Sequence, residues 1–171
     1  MRNANRRLVT AAMMAAMTVI ATMVITIPTA GGGYVNIGDA LVILSGWLLG
    51  GPYGALAAGI GSALADVLSG YAVYAPATFV IKALMGLTVG LHTKLFAAVK
   101  NKTVSVILVS AAAEIIMLAG YFAFEAVILG MGMAAMASVA GNAVQAVVCL
   151  VLGNILIPLV AKINAVKTLR G

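Results

Sequence analysis

Ala126–Ala161, AVILGMGMAAMASVAGNAVQAVVCLVLGNILIPLVA, runs for 36 residues without an Asp, Glu, Lys, Arg or His. A helix that crosses a bilayer needs about 20 apolar residues, so this stretch exceeds what one passage requires. Leu8–Gly38 (31 residues) and Ala40–Ala65 (26 residues) are equally free of charge. The chain has 171 residues, of which 64% are hydrophobic and 8% charged, and its mean hydropathy is +1.17. A soluble domain carries about 25% charged residues. So few charges cannot cover a water-facing surface, which excludes a soluble enzyme, a nucleic-acid binder and a disordered tail. The composition reads as an all-α integral membrane protein, a single membrane domain over residues 1–171.

Pro and Gly punctuate that domain into six helices, at about 8–27, 38–49, 53–68, 76–99, 103–129 and 133–163. Pro28 closes the first, and the loop Thr29–Ile37 carries Gly31, Gly32 and Gly33. Gly50-Gly51-Pro52, Ser69-Gly70-Tyr71, Lys100-Asn101-Lys102 and Gly130-Met131-Gly132 mark the later turns, and Pro76 suits a first helical turn. The second and third helices are short for a crossing, either tilted or forming a shallow hairpin; six full passes is the expectation. Arg2, Arg6 and Arg7 before an apolar run resemble a secretory signal. The run outlasts a signal's apolar core, so it is read as an attached membrane helix.

Six passes put nine bases on one side: Arg2, Arg6, Arg7, Lys94, Lys100, Lys102, Lys162, Lys167 and Arg170. The opposite loops hold none, so both termini are expected in the cytoplasm. Five ionisable groups are left within or beside the helices: Asp39, Asp66, Lys82, Glu114 and Glu125. A charge at the bilayer centre costs about 2.5–3.5 kcal/mol on insertion scales, so each needs a partner or a purpose. Asp66 lies about 6 Å below the outer end of its helix and Lys82 about 9 Å below the outer end of the next. An Asp66–Lys82 ion pair is therefore expected. Asp39 opens the second helix as a cap or first-turn acid favoured by the helix dipole. Glu125 is near the outer end of the fifth helix, and Glu114 is near mid-membrane without an obvious base. Asn142 and Gln145 sit halfway down the sixth, suited either to helix–helix hydrogen bonds or to a ligand.

These groups, with Tyr34, Tyr71, Tyr74 and Tyr121, can converge on an outward-facing pocket. The inner half has little polar lining besides Asn154, which suits a pocket with a floor rather than a channel. No nucleotide-binding G-x-x-x-x-G-K-[ST] loop is present. One histidine and one cysteine, His92 and Cys149, make neither a usual metal site nor a disulfide; Cys149 reads as a small buried hydrophobe. His92 lies far from Ser62, the serine a membrane hydrolase would pair with it. No catalytic residue, metal or cofactor is read. Ala11, Ala12, Ala15 and Ala16 form a small-residue stripe on the first helix, and Gly54, Ala58 and Ser62 another on the third, where backbones can approach closely.

Four ordered blocks complete the reading: Tyr34-Val35-Asn36-Ile37-Gly38-Asp39-Ala40, Gly50-Gly51-Pro52-Tyr53-Gly54, Ala65-Asp66-Val67-Leu68-Ser69-Gly70-Tyr71 and Pro76-Ala77-Thr78-Phe79-Val80-Ile81-Lys82. Together they resemble the substrate-binding (S) components of energy-coupling factor transporters, in the riboflavin-type branch that includes predicted hydroxymethylpyrimidine and pyridoxine transporters. The resemblance implies a six-helix protein that binds a vitamin near the outer face. It implies docking, through an alanine motif matched by Ala12 and Ala16 and extended to Ala11 and Ala15, onto a transmembrane T component carrying two ATPases. It further implies a lid between the first two helices, here Gly31, Gly32 and Gly33, and a body that topples in the membrane.

The expected cargo is hydroxymethylpyrimidine or pyridoxine, with riboflavin and pantothenate as alternatives. The expected contacts are Glu114, Tyr121, Asn142, Gln145, Asp39, Tyr34, Lys82 and Tyr74. A self-sufficient secondary carrier is the competing reading, though no internal inverted repeat is found.

Overall fold

A computed structural model describes residues 2–29 and 33–170. Among them, α1 covers Arg2–Val24, α2 Gly38–Leu49, α3 Gly51–Leu68, α4 Ala75–Gly90, α5 His92–Leu95, α6 Lys102–Ala123, α7 Met136–Val160 and α8 Asn164–Arg170. A π-turn, Phe124–Ile128, continues α6, and a 3₁₀ turn, Gly132–Ala135, leads into α7. Among the described residues, three stretches have the length and apolar composition to cross a membrane: Ala4–Val24, Lys102–Ile128 and Gly132–Val160. Gly38–Leu49 and Ala75–Gly90 are apolar but shorter.

Local chemistry explains the boundaries. The Asn36 side chain accepts from the Gly38 N–H at 2.8 Å, at the start of α2. Gly50 and Gly51 turn the chain from α2 into α3 with φ of 63° and 42°, a region that glycine enters without penalty. Asn101 caps α6 by accepting from the backbone N–H groups of Thr103 and Val104.

The first helix ends at Val24 rather than near residue 27. Pro28 disfavours helical geometry at Ile27, and the extended Thr26–Pro28 (β1) pairs antiparallel with Tyr34–Asn36 (β2). The helix expected over 76–99 ends at Gly90. There the chain passes so close to the α2–α3 turn that a Cβ on Gly90 would lie 2.7 Å from the Gly51 nitrogen. His92 Nδ1 also reaches the Val89 carbonyl at 3.0 Å, closing the turn with a side chain.

The interior is packed by Val42 and Ile43 of α2, Met85 and Val89 of α4, and Val109 and Met117 of α6, all fully buried. Large apolar side chains also cover the outside: Ile20, Ile115 and Val147 are each more than 60% exposed. Faces so apolar suit lipid rather than water.

The short helices α2, α3 and α4 meet at three glycines. A Cβ on Gly46 would lie 2.5 Å from the Gly86 carbonyl oxygen, one on Gly86 2.8 Å from that of Gly54, and one on Gly54 2.9 Å from that of Ser45. The backbones are in direct contact, gaining dispersion that lipid chains cannot replace. Gly86→Leu is expected to separate them and destabilise the fold by about 1–3 kcal/mol, the usual scale of overpacking. Thermal unfolding in detergent checks this.

Candidate functional site

The β1–β2 hairpin lies across one end of the bundle and contributes Thr29, Gly33, Tyr34 and Asn36 to the roof of a small cavity. Asp66 from α3, with Tyr74 and Thr78 at the start of α4, forms one wall; Tyr121, Glu125, Asn142 and Gln145 complete the lining. The cavity volume is about 30 Å³. That is space for a few waters, against about 300–1,000 Å³ for a ligand pocket.

Polar contacts hold the roof down. The Tyr34 hydroxyl donates to Asp66 Oδ1 at 2.7 Å, and its ring packs 4.5 Å from that of Tyr71. Burial and the adjacent Asp66 carboxylate push the Tyr34 phenol above its ordinary value, so it stays a donor. The Asn36 N–H donates to Gln145 Oε1 at 2.7 Å, and the Cys149 thiol lies 3.5 Å from the Asn36 carbonyl. On α7, Gly141 leaves the hairpin room: a Cβ there would meet Thr29 Cγ2 at 2.9 Å.

Below the cavity, Asp39 joins three helices. Its Oδ1 accepts from Lys82 Nζ of α4 at 2.5 Å and its Oδ2 from Gln145 Nε2 of α7 at 2.6 Å. All three side chains are buried. The expected Asp66–Lys82 pair is thereby corrected. Lys82 and Asp66 are close in depth, but α2 inserts Asp39 beside Lys82, and Asp66 instead receives the hydroxyl of Tyr34. Asp39 does lie in the first turn of α2, yet its carboxylate reaches across to side chains rather than capping the backbone. Lys82 also sits 5.1 Å from the Tyr121 ring centre.

Of the residues singled out from sequence, Tyr34, Tyr74, Tyr121, Asn142 and Gln145 line the cavity together. Asp39 and Lys82 lie beneath it. Glu114 is buried outside the lining, with neither carboxylate oxygen hydrogen-bonded. Gly33 lines the roof, whereas Gly31 and Gly32 fall outside the described residues.

Glu125, expected near the outer end of its helix and among the converging groups, lines the cavity where a π-turn redirects the end of α6, the wider pitch showing in the Leu129 N–H to Phe124 carbonyl bond of 3.0 Å. It accepts from Tyr74 at 3.3 Å and from Ser138. Asn36, Thr78 and Ser138 were not anticipated as site residues. Thr78, bonded to the Tyr121 hydroxyl at 2.9 Å, precedes Lys82 by one helical turn, a spacing that could have flagged it.

The alanine stripe of α1 divides. Ala11 is buried and Ala15 contacts α3, where a Cβ on Gly61 would lie 2.6 Å from the Ala15 carbonyl. Ala12 and Ala16 are exposed, in an apolar groove of about 430 Å³ between α1 and α3.

The family described as ECF-type riboflavin transporter, S component, has a sequence model that matches residues 2–162. A protein of Pyrococcus woesei described as "Uncharacterized protein in gap 3'region" is 37% identical over 136 residues, covering 79% of this chain and 88% of its own length.

Removing one partner of a buried ion pair strands the other and costs about 3–5 kcal/mol, whereas replacing both with apolar groups is close to neutral. Lys82→Met is therefore expected to destabilise strongly, and Lys82→Met with Asp39→Leu to recover much of the loss. Paired unfolding measurements on the single and double variants test this.

Proposed function

Because the chain belongs to the family of S components of ECF-type riboflavin transporters, we propose that it captures a small vitamin or vitamin precursor at the outer face of the cell membrane. It then delivers the cargo inward with a T component and two ATPase subunits. The family is one of transporter substrate-binding subunits rather than enzymes. The observation that carries the proposal is the cavity: polar, tyrosine-walled and roofed by a hairpin, at one end of an otherwise apolar bundle.

The exposed bases cluster at the other end, where Arg6 lies near α8 and Lys102 near Trp47 and His92. In the proposed topology α1, α2, α3, α4, α6 and α7 are the six passes, and that basic end, with both termini, is cytoplasmic. Among the described residues the interior is packed by fully buried apolar side chains such as Ile43, Met85 and Met117, which favours a subunit emptied by partners over a self-sufficient carrier.

The proposed cargo is hydroxymethylpyrimidine or pyridoxine, stacked on Tyr34, Tyr74 and Tyr121 and held by Asn142 and Gln145. Asp39 and Lys82 form the floor, and Glu114 a polar wall reached when the hairpin opens. Riboflavin is the second reading, favoured by the family's description. Pantothenate, an acid, would face Asp66 and Glu125. The exposed Ala12 and Ala16 are the proposed docking surface for the T component.

The purified chain is expected to bind its vitamin saturably without partners. Glu114→Gln and Asn142→Ala should each weaken binding by about 1 kcal/mol or more, on the scale of one buried hydrogen bond. Ala12→Leu should leave binding intact and abolish uptake by the assembled transporter. Accumulation of the vitamin in liposomes by this chain alone would overturn the proposal.

A further inference from the structure

The four acidic side chains, Asp39, Asp66, Glu114 and Glu125, are no more than 4% exposed. The bases are distributed in the opposite way. Arg6 and Arg7 of α1, Lys94 of α5, Lys100 and Lys102 around the start of α6, and Lys162 and Lys167 around α8 are all exposed. Lys82 is the exception, buried against Asp39. Among the described residues, the charge offered to the surroundings is therefore wholly positive.

One part of this basic surface is concave. On the α8 side of α1, away from the alanine groove, lies a second groove of about 810 Å³, within the range of about 300–1,000 Å³ for a ligand site. Val9 and Met13 of α1, Leu48 near the end of α2, and Val166 and Leu169 of α8 make its apolar walls, with Arg6 beside them. Val9 and Met13 are each 60% exposed. The threonines of the lining add little polarity, because Thr10 donates to the Arg6 carbonyl and Thr168 to that of Asn164. An apolar slot beside a guanidinium, with no acid in its lining, complements a molecule with an anionic head and a hydrocarbon tail.

We propose that this groove holds one anionic phospholipid, its acyl chain along the apolar walls and its phosphate on Arg6. The planar fork of an arginine pairs with phosphate oxygens bidentately. Arg7 and Lys167, exposed on the same two helices, strengthen the field that the headgroup meets. The lipid fills the space between α1 and α8, and the site is independent of the tyrosine-walled cavity.

The test is native mass spectrometry of the full chain in nonionic detergent, titrated with dioleoyl phosphatidylglycerol or dioleoyl phosphatidylcholine. One phosphatidylglycerol is expected to stay bound, at least about fivefold more tightly than phosphatidylcholine, the worth of one base at an anionic surface. Arg6→Gln should bring the two lipids within about twofold. Lys94→Gln, outside the groove, should keep the preference, and Val9→Trp should expel the lipid by filling the slot. Should Val9→Trp fail to fold, Arg6→Gln decides. Equal retention of the two lipids would overturn the proposal. So would a preference that survives Arg6→Gln, or one that falls as far in Lys94→Gln, which marks diffuse attraction. Displacement of the lipid by excess glycerol phosphate would assign the groove to a soluble phosphate compound, and a lipid-free dimer would assign it to a second copy of the chain; either result overturns the proposal.

Discussion

The carboxylate of Asp39 is the point on which the polar half of the molecule depends. It is completely buried, and an ion in an apolar interior is tolerated only when its oxygens are occupied. Lys82 supplies the countercharge from α4 and Gln145 a hydrogen bond from α7, so α2, α4 and α7 are fixed relative to one another by one side chain. The other end of the Gln145 amide accepts from the Asn36 backbone, extending the arrangement to the hairpin. The floor of the cavity and its roof are thus parts of one hydrogen-bonded chain.

Around this core the balance of forces is that of a protein in lipid. With apolar groups on both the inside and the outside, burial of hydrophobic surface does little to hold helices together. Close backbone contact and polar bonds take over. The junction of Gly46, Gly54 and Gly86 is the first kind of contact, and the Asp39 network is the second. The two lie at different levels of the same helices, α2 and α4, so neither helix can slide without disturbing one of them.

Much of this was legible in the sequence, and the failures have physical reasons. The bounds of α2 were read correctly because Gly38 and Gly50-Gly51-Pro52 mark its ends sharply. The convergence of Tyr34, Tyr74, Tyr121, Asn142 and Gln145 followed from depth alone. Depth is only one coordinate, however. It placed Asp66 level with Lys82 but could not show that α2 lies between α4 and α7, which is what gives Lys82 to Asp39. The hairpin was missed because strands of three residues beside glycines carry no usable periodicity. Glu125 was placed by depth among the converging groups, but its bonds to Tyr74 and Ser138 rest on a π-turn that leaves no mark in the residue pattern.

The hairpin that roofs the cavity is joined to the bundle by, among others, one phenol and one backbone amide. Were it to act as the proposed lid, release would wait for those bonds to break together, and two compounds of very different affinity would then escape at similar rates.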